Sequence, residues 1–301
     1  MDLSTTYLGL TLAHPFMVGA SPLADNLDTV KRLEDGGSSA IVLRSLFEEQ
    51  VTMETSGEIR HRDPHDEQFA AALSAFPPPE RYVLSTDAYL EQIRRIKQAV
   101  GIPVFASLNG TTNQAWLRIA RDIQAAGADG LEVNLYDIVS DPNRSSLAIE
   151  TDLRDLVVEM KRALTLPVAL KLSPYFTALG NLARRLDAAG VDGLILFNRF
   201  YQPDIDLTTM SIAPRLELSN RAELRLRLQW MALLHGRVKA SLALTGGVAT
   251  PTDGVKAVLA GADAVQIVSA ILRQGPTYFA AMRDGLARVM EQRVLPLVAA
   301  V

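Results

Sequence analysis

The chain has 301 residues with 30 basic against 34 acidic side chains, a balance that gives no sign of electrostatic capture of nucleic acid or of an anionic membrane. It has no cysteine, which excludes disulfides, cysteine-ligated zinc, iron–sulfur ligation by this chain and thiol catalysis. The opening MDLSTTYLG lacks a cationic stretch leading into an apolar run, and the closing LPLVAAV is too short to span a bilayer, so a cytoplasmic protein is expected.

Eight short apolar runs follow in chain order: PFMVGA (15–20), AIVLRS (40–45), PVFASLN (103–109), GLEVNLY (130–136), PVALKLS (167–173), GLILFN (193–198), ASLALTG (240–246) and AVQIVS (264–269). Amphipathic stretches lie between them. Tyr89, Ile93, Ile96 and Val100 recur at helical spacing, as do Trp116, Ile119, Ile123 and Ala126. The stripes Leu153-Leu156-Val157-Met160-Leu164, Leu179-Leu182-Leu186, Leu224-Leu228-Met231 and Phe279-Met282-Leu286 continue the series and read as core. Pro251 and Pro276 fit first-turn positions of helices. One phrase recurs before a strand: Gly127-Ala128-Asp129, Gly190-Val191-Asp192 and Gly261-Ala262-Asp263, with a looser copy at Gly36-Gly37-Ser38-Ser39. It reads as a helix ending on a left-handed glycine and feeding a buried strand. Eight strands alternating with helices predict an α/β fold, a (β/α)8 TIM barrel forming a single domain over 1–301. Long connections after the second, fourth and sixth strands, at 46–85, 137–150 and 199–220, belong over the C-terminal mouth, where Phe47, Phe69, Phe76, Phe200 and Tyr201 suit a lid.

The mouth is where barrel chemistry resides. Leu244-Thr245-Gly246-Gly247-Val248 turns from strand into the helix opened by Pro251, and with Val268-Ser269 it forms a candidate phosphate site; the plain alternative is a tight turn. Lys171 stands inside an apolar strand, placed to hold an electron-rich cofactor or to form a Schiff base. Arg44, Ser45, Asn109, Asn134 and Asn198 close other strands, and asparagine's paired donor and acceptor match the mixed polar edge of a flavin. His61 and His65 read as solvated loop, no metal is expected, and no Ser–His–Asp set or Walker loop is present.

The segments HPFMVGAS, AIVLRS, PVFASLNG, GLEVNLY, PVALKLSPYF, LTGGV and GADAVQIVSAIL, in that order, resemble the FMN-dependent dihydroorotate dehydrogenases, the soluble class 1 type in particular, over roughly the whole chain. The resemblance implies FMN as cofactor, a role in pyrimidine biosynthesis and a homodimer as the assembly to expect. It implies that Ala20 and Ser21 line one flavin face and that Lys171 approaches the N1–C2=O edge. Asn109 and Asn134 would hold the ring or ribityl chain, and Gly246, Gly247 and Ser269 the phosphate. The sequence departs from the family at the base: where N-L-S-C-P-N is usual, Asn134-Leu135-Tyr136-Asp137 places Asp137 at the cysteine position. Arg44 replaces a lysine, and the substrate loop reads Phe69-Ala70-Ala71-Ala72-Leu73-Ser74-Ala75-Phe76-Pro77. The flavin side is kept and the substrate side rebuilt, with Arg44, Asn198 and Arg199 as candidate contacts to a small anionic substrate. The expected activity is flavin-dependent oxidation of a dihydroorotate-like acid. A Schiff-base aldolase built on Lys171 and a non-catalytic flavin-binding barrel are the alternatives.

Overall fold

The structure, a computed structural model, describes residues 2–47, 85–109, 113–134, 139, 141–199, 204–208, 210–213 and 218–298. Its strands are β1 (Thr5–Tyr7), β2 (Leu10–Leu12), β3 (Phe16–Val18), β4 (Ile41–Phe47), β5 (Val104–Asn109), β6 (Gly130–Asn134), β7 (Val168–Leu172), β8 (Gly193–Leu196), β9 (Asp204–Asp206), β10 (Ser211–Ala213), β11 (Ser241–Thr245) and β12 (Ala264–Ile267). The helices are α1 (Leu27–Asp35), α2 (Thr86–Ala99), α3 (Asn113–Ala126), α4 (Ser146–Ala163), α5 (Leu179–Ala188), α6 (Leu224–Leu234), α7 (Pro251–Leu259), α8 (Ser269–Gln274) and α9 (Tyr278–Val298).

All eight expected strands form, and they close a barrel in the order β3, β4, β5, β6, β7, β8, β11, β12. Each neighbouring pair is parallel. Period-two alternation sorts the side chains. Ile41, Leu43, Val104, Leu131, Val133, Leu170, Leu194 and Leu244 face outward into the layer shared with the helices. Leu182, Leu186, Met160, Met231, Phe279 and Met282, from the stripes read in the sequence, fill that layer and are fully buried. Each such side chain contributes roughly 1.5–3 kcal/mol relative to exposure. Side-chain oxygens cap the helices as they begin: Asn26 accepts from Asp28 N and Thr29 N, Ser85 from Ala88 N, Ser145 from Ala148 N. One expectation needs correction: Pro276 lies in the turn between α8 and α9, two residues before the helix that it was expected to open.

The repeated glycine–aspartate phrase has a structural job at the N-terminal end of the barrel. Gly37, Gly127, Gly190 and Gly261 all have φ between +92° and +104°, as the left-handed helix ending requires. The aspartate then staples the preceding barrel strand. Asp129 Oδ2 accepts from Val104 N at 2.7 Å, Asp192 Oδ2 from Val168 N at 2.7 Å, and Asp263 Oδ2 from Leu242 N at 2.7 Å. A lysine from the preceding helix completes two of these contacts, Lys97 on Asp129 and Lys161 on Asp192, both at 2.6 Å. In the looser copy Ser38 Oγ replaces the carboxylate and accepts from Val18 N at 3.1 Å.

The N-terminal residues form an antiparallel hairpin, β1 with β2, that the sequence did not announce. Its turn residues Leu8 and Gly9 both have positive φ, +53° and +79°. Leu8, Tyr7 and Leu12 plug the barrel floor against Met17, Val42, Phe105, Ala169, Ile195 and Ala243. Tyr7 meets Phe105 edge to face at 5.7 Å, and Leu8 N donates to Ser241 Oγ at 3.1 Å. The space above the plug, lined by Tyr7, Phe105, Glu132 and Gln266 among others, is too tight for a water molecule. At the opposite end the segment expected as the sixth-strand loop contains a second antiparallel hairpin, β9 with β10. Most of the second-strand connection, including Phe69 and Phe76, and also Phe200 and Tyr201, lies outside the described residues.

Candidate active site

The alternation that sends Phe105, Ala169, Ala243 and Ala264 to the floor brings Ser107, Lys171, Thr245 and Gln266 inward one layer higher. Glu132 on β6 belongs to the same layer. Lys171 Nζ donates to Glu132 Oε1 at 2.9 Å, and Gln266 Nε2 donates to Glu132 Oε2 at 2.6 Å. Lys171 is 8 % exposed, Glu132 2 % and Gln266 1 %. The lysine therefore faces the barrel interior, as the sequence suggested, and it is held by a buried carboxylate.

Toward the mouth lies a second polar cluster. Asn134 Nδ2 donates to Ser45 Oγ at 2.8 Å and to Ser107 Oγ at 2.9 Å, and the two hydroxyls are 2.8 Å apart. A slip in the β4–β5 register makes this possible. Val42 pairs with Phe105 and Ser45 with Ser107, so three steps on β4 match two on β5. The bulge returns Ser45 to the inward row and turns Arg44 aside. Arg44 reaches Asp25, in the turn after β3, at 3.5 Å. Burial pushes the Asp25 carboxyl above its ordinary value, against the opposing pull of Arg44.

Five buried side-chain oxygens have no hydrogen-bond partner among the described residues: Ser21 Oγ, Asp25 Oδ1, Asn109 Oδ1, Asn134 Oδ1 and Gln266 Oε1. Four of them lie on or just after the C-terminal halves of β3, β5, β6 and β12, and Asp25 follows in the connection after β3, beside Arg44. An unpaired buried acceptor costs about 1–3 kcal/mol, so such atoms are sparse in native proteins unless something else satisfies them. Ser21, Asn109 and Asn134 at the strand ends, above the layer that carries the Lys171 ammonium, fit a planar group carrying both donors and acceptors. A flavin nucleotide has that chemistry.

On the other side of the mouth, Gly246 and Gly247 have φ of +90° and +80°. A Cβ on Gly246 would lie 2.9 Å from the Arg227 guanidinium, and one on Gly247 would lie 2.6 Å from Leu224 N. The tight turn and its packing on α6 therefore demand both glycines on their own account. The first turn of α7 differs from the sequence expectation. Asp253 Oδ2 already accepts from Ala249 N, Thr250 N and Thr250 Oγ1, at 3.3, 3.0 and 2.8 Å. That helix start is occupied by its own carboxylate and offers little to an outside anion. The loop ahead of it remains: among the described residues no hydrogen bond is made by Gly247 N or Val248 N. Across from it Ser269 Oγ accepts from Ser219 N at 3.1 Å.

The remaining candidates are placed as follows. Asn198 Oδ1 accepts from Arg199 N at 2.9 Å. The Arg199 side chain pairs with Glu223 at 3.4 Å, and the same carboxylate contacts Arg227. Asp137, His61 and His65 lie outside the described residues. Among the described residues there is no cluster of three or more His, Asp or Glu suited to a metal ion, and no helix long and apolar enough to cross a membrane. Sequence reasoning passed over Glu132, Gln266 and Ser107. The available signal was their position: each is a polar residue at inward parity in an otherwise apolar strand, as Lys171 is.

The family described as dihydroorotate dehydrogenase matches residues 83–290 of this chain. The chain belongs to the dihydroorotate dehydrogenase family. The catalytic subunit of dihydroorotate dehydrogenase B (NAD(+)) from Thermoplasma acidophilum is 26 % identical over 286 residues, covering 92 % of this chain and 90 % of the relative. The corresponding subunit from Methanocaldococcus jannaschii is 23 % identical over 98 % of this chain and 95 % of its own length. The NAD-dependent dihydropyrimidine dehydrogenase subunit PreA of Escherichia coli is 25 % identical over 96 % of this chain and 73 % of its own length. The chain is thus a dihydroorotate dehydrogenase-like oxidoreductase of a flavin-dependent family. Membership in the dehydrogenase family also sets the aldolase aside, and the geometry agrees. Lys171, engaged by Glu132 at 2.9 Å, is arranged as a charge clamp and not as a free amine nucleophile.

Proposed function

We propose that this chain binds FMN in the barrel mouth and oxidises a small anionic ring of the dihydroorotate kind. The observation that carries this is the group of buried side-chain oxygens at the ends of β3, β5, β6 and β12 that have no partner among the described residues, in the same barrel as the buried Lys171 ammonium. Ala20, Ser21, Ser45, Asn109, Asn134 and Lys171 would hold the ring and ribityl portion. Thr245, Gly246, Gly247, Val268 and Ser269 would receive the phosphate, through backbone N–H groups and not through the α7 helix start. When bound, FMN supplies the hydride acceptor.

The chain's own residues supply position, charge and proton transfer. Lys171 places a cation at the layer beneath the mouth, and Asn134, fixed by Ser45 and Ser107, presents its oxygen at the rim. Asp137, three residues beyond Asn134, takes the carbon-bound proton of the substrate. Arg44, Asn198 and Arg199 orient the substrate carboxylate. Both arginines already have a carboxylate partner, Asp25 and Glu223, which fixes their direction before an anion arrives. Relatives named as catalytic subunits support a partner that passes electrons onward, and a homodimer is proposed for this chain.

The test has two arms. Heat-denatured protein is assayed for released FMN, and the reconstituted protein is mixed anaerobically with dihydroorotate and related acids while flavin bleaching is followed. FMN binding with bleaching by one of these acids is expected. A chain that neither carries nor takes up FMN refutes the proposal. Asp137→Asn should keep the flavin and slow bleaching by about 10²–10⁴-fold, the range of a lost general base.

A further inference from the structure

Glu132 is the most deeply buried carboxylate of the inward-facing layer, at 2 % exposure. Its two oxygens are both used, one by Lys171 at 2.9 Å and one by Gln266 at 2.6 Å. Beneath it the barrel is plugged by Tyr7, Leu8 and Phe105, with no room for water. Glu132 is therefore shielded from solvent on the floor side and coupled to the mouth through Lys171. The lysine ammonium has three donors, and among the described residues it spends one on Glu132. Charge at such a site is weakly screened, so a carboxylate in contact with the ammonium subtracts directly from the positive potential that the mouth experiences.

We infer that Glu132 is a positioning residue that fixes the Lys171 ammonium and, as its countercharge, limits how strongly the mouth stabilises negative charge on a bound flavin ring. The inference rests on the FMN assignment proposed above. It gives the pair two tasks: without Glu132 the ammonium is free to wander, and with it the cation is held but partly neutralised. Gln266 is the second anchor, holding the other carboxylate oxygen so that Glu132 cannot rotate away from Lys171.

The probe is sulfite, which adds to oxidised flavin and leaves negative charge on the ring, so its dissociation constant reads the local potential without turnover. Glu132→Gln keeps the shape and removes the charge. It should tighten sulfite binding by about tenfold or more, the order expected for losing one charge at a weakly screened site, and raise the flavin reduction potential. Glu132→Gln/Lys171→Gln should bind sulfite no more tightly than wild type. If Glu132→Gln does not fold, Glu132→Asp carries the test. Its carboxylate is withdrawn by one methylene, and sulfite should tighten about two- to fivefold. An unchanged or weaker sulfite constant, in Glu132→Gln or failing that in Glu132→Asp, overturns the inference while leaving wild-type FMN binding intact. A wild-type chain that takes up no FMN overturns the cofactor assignment and this inference together.

Discussion

Replacing Asp129 tests whether the recurring glycine–aspartate phrase is a structural staple and not part of the site. Asp129 makes two kinds of contact. Its Oδ2 accepts from Val104 N at 2.7 Å at the start of β5, and both oxygens receive Lys97 Nζ, at 2.8 and 2.6 Å. The lysine side chain is 30 % exposed and the aspartate 25 %, so solvent screens the ion pair, which is worth about 0.5–1 kcal/mol. The bond to the strand N–H is charge-assisted and closes a backbone donor at the edge of the core, worth about 1.5–3 kcal/mol. Asp129→Asn keeps an acceptor for Val104 and should cost about 1 kcal/mol. Asp129→Ala loses both contacts and should cost about 2–4 kcal/mol. Urea unfolding of both variants and of Lys97→Met, combined as a double-mutant cycle, separates the two contributions. FMN affinity should stay within about twofold of wild type for the folded variants, because the staple sits at the end of the barrel remote from the mouth. Equal losses for Asp129→Asn and Asp129→Ala would refute the strand-staple account. A marked loss of FMN affinity would refute its separation from the site.

Three further outcomes follow from the geometry. Lys171→Met leaves Glu132 charged and buried without its cation, and should destabilise the fold by about 3–5 kcal/mol; Lys171→Met/Glu132→Leu should recover most of that loss in thermal unfolding. Gly247→Ala places a Cβ 2.6 Å from Leu224 N at a φ of +80°, so it should lower stability by at least about 1 kcal/mol, and weaken FMN more than riboflavin in fluorescence titrations. His14 is buried with Nε2 donating to Gly37 O at 2.8 Å and Nδ1 accepting from Phe16 N at 3.2 Å, a neutral imidazole in the folded state. Burial, helped by the nearby Arg283 and opposed by the Gly37 bond, holds its pKa below the ordinary value. Its contribution is therefore complete above the unfolded value of about 6.5 and is lost as pH falls below that toward the folded value. His14→Asn should show a smaller drop in melting temperature between pH 7.5 and 5.5 than wild type, and an equal drop would count against this assignment.

Much of this architecture can be read from strand composition. Runs such as PVALKLS and GLEVN carry apolar residues at consecutive positions, on both parities, which is the pattern of a parallel sheet wrapped in helices. Lys171 stood out for the same reason, since a lysine in such a run must enter the barrel or terminate the strand. Glu132 and Gln266 carry an equal signal, but it is legible only once the floor fixes the parity of their neighbours. The N-terminal hairpin was invisible for a different reason. A two-residue turn with both φ angles positive favours Asn-Gly or Gly-Gly, whereas here the first position is Leu8. Tertiary packing overrides local preference: Leu8 is 6 % exposed in the barrel floor, and that burial offsets a left-handed conformation costing about 1–2 kcal/mol. Thr250-Pro251-Thr252-Asp253 reads equally as a helix cap and as an anion-binding turn, and only the contacts of Asp253 decide between them.

The hairpin that stoppers the base makes the barrel a dead-end vessel. Protons and water exchanging with Glu132 and Lys171 have to come and go by the rim, past whatever molecule is lodged there. Once a ligand is seated, isotope exchange at that buried pair should slow, making the occupant itself the valve on the pocket's traffic with solvent.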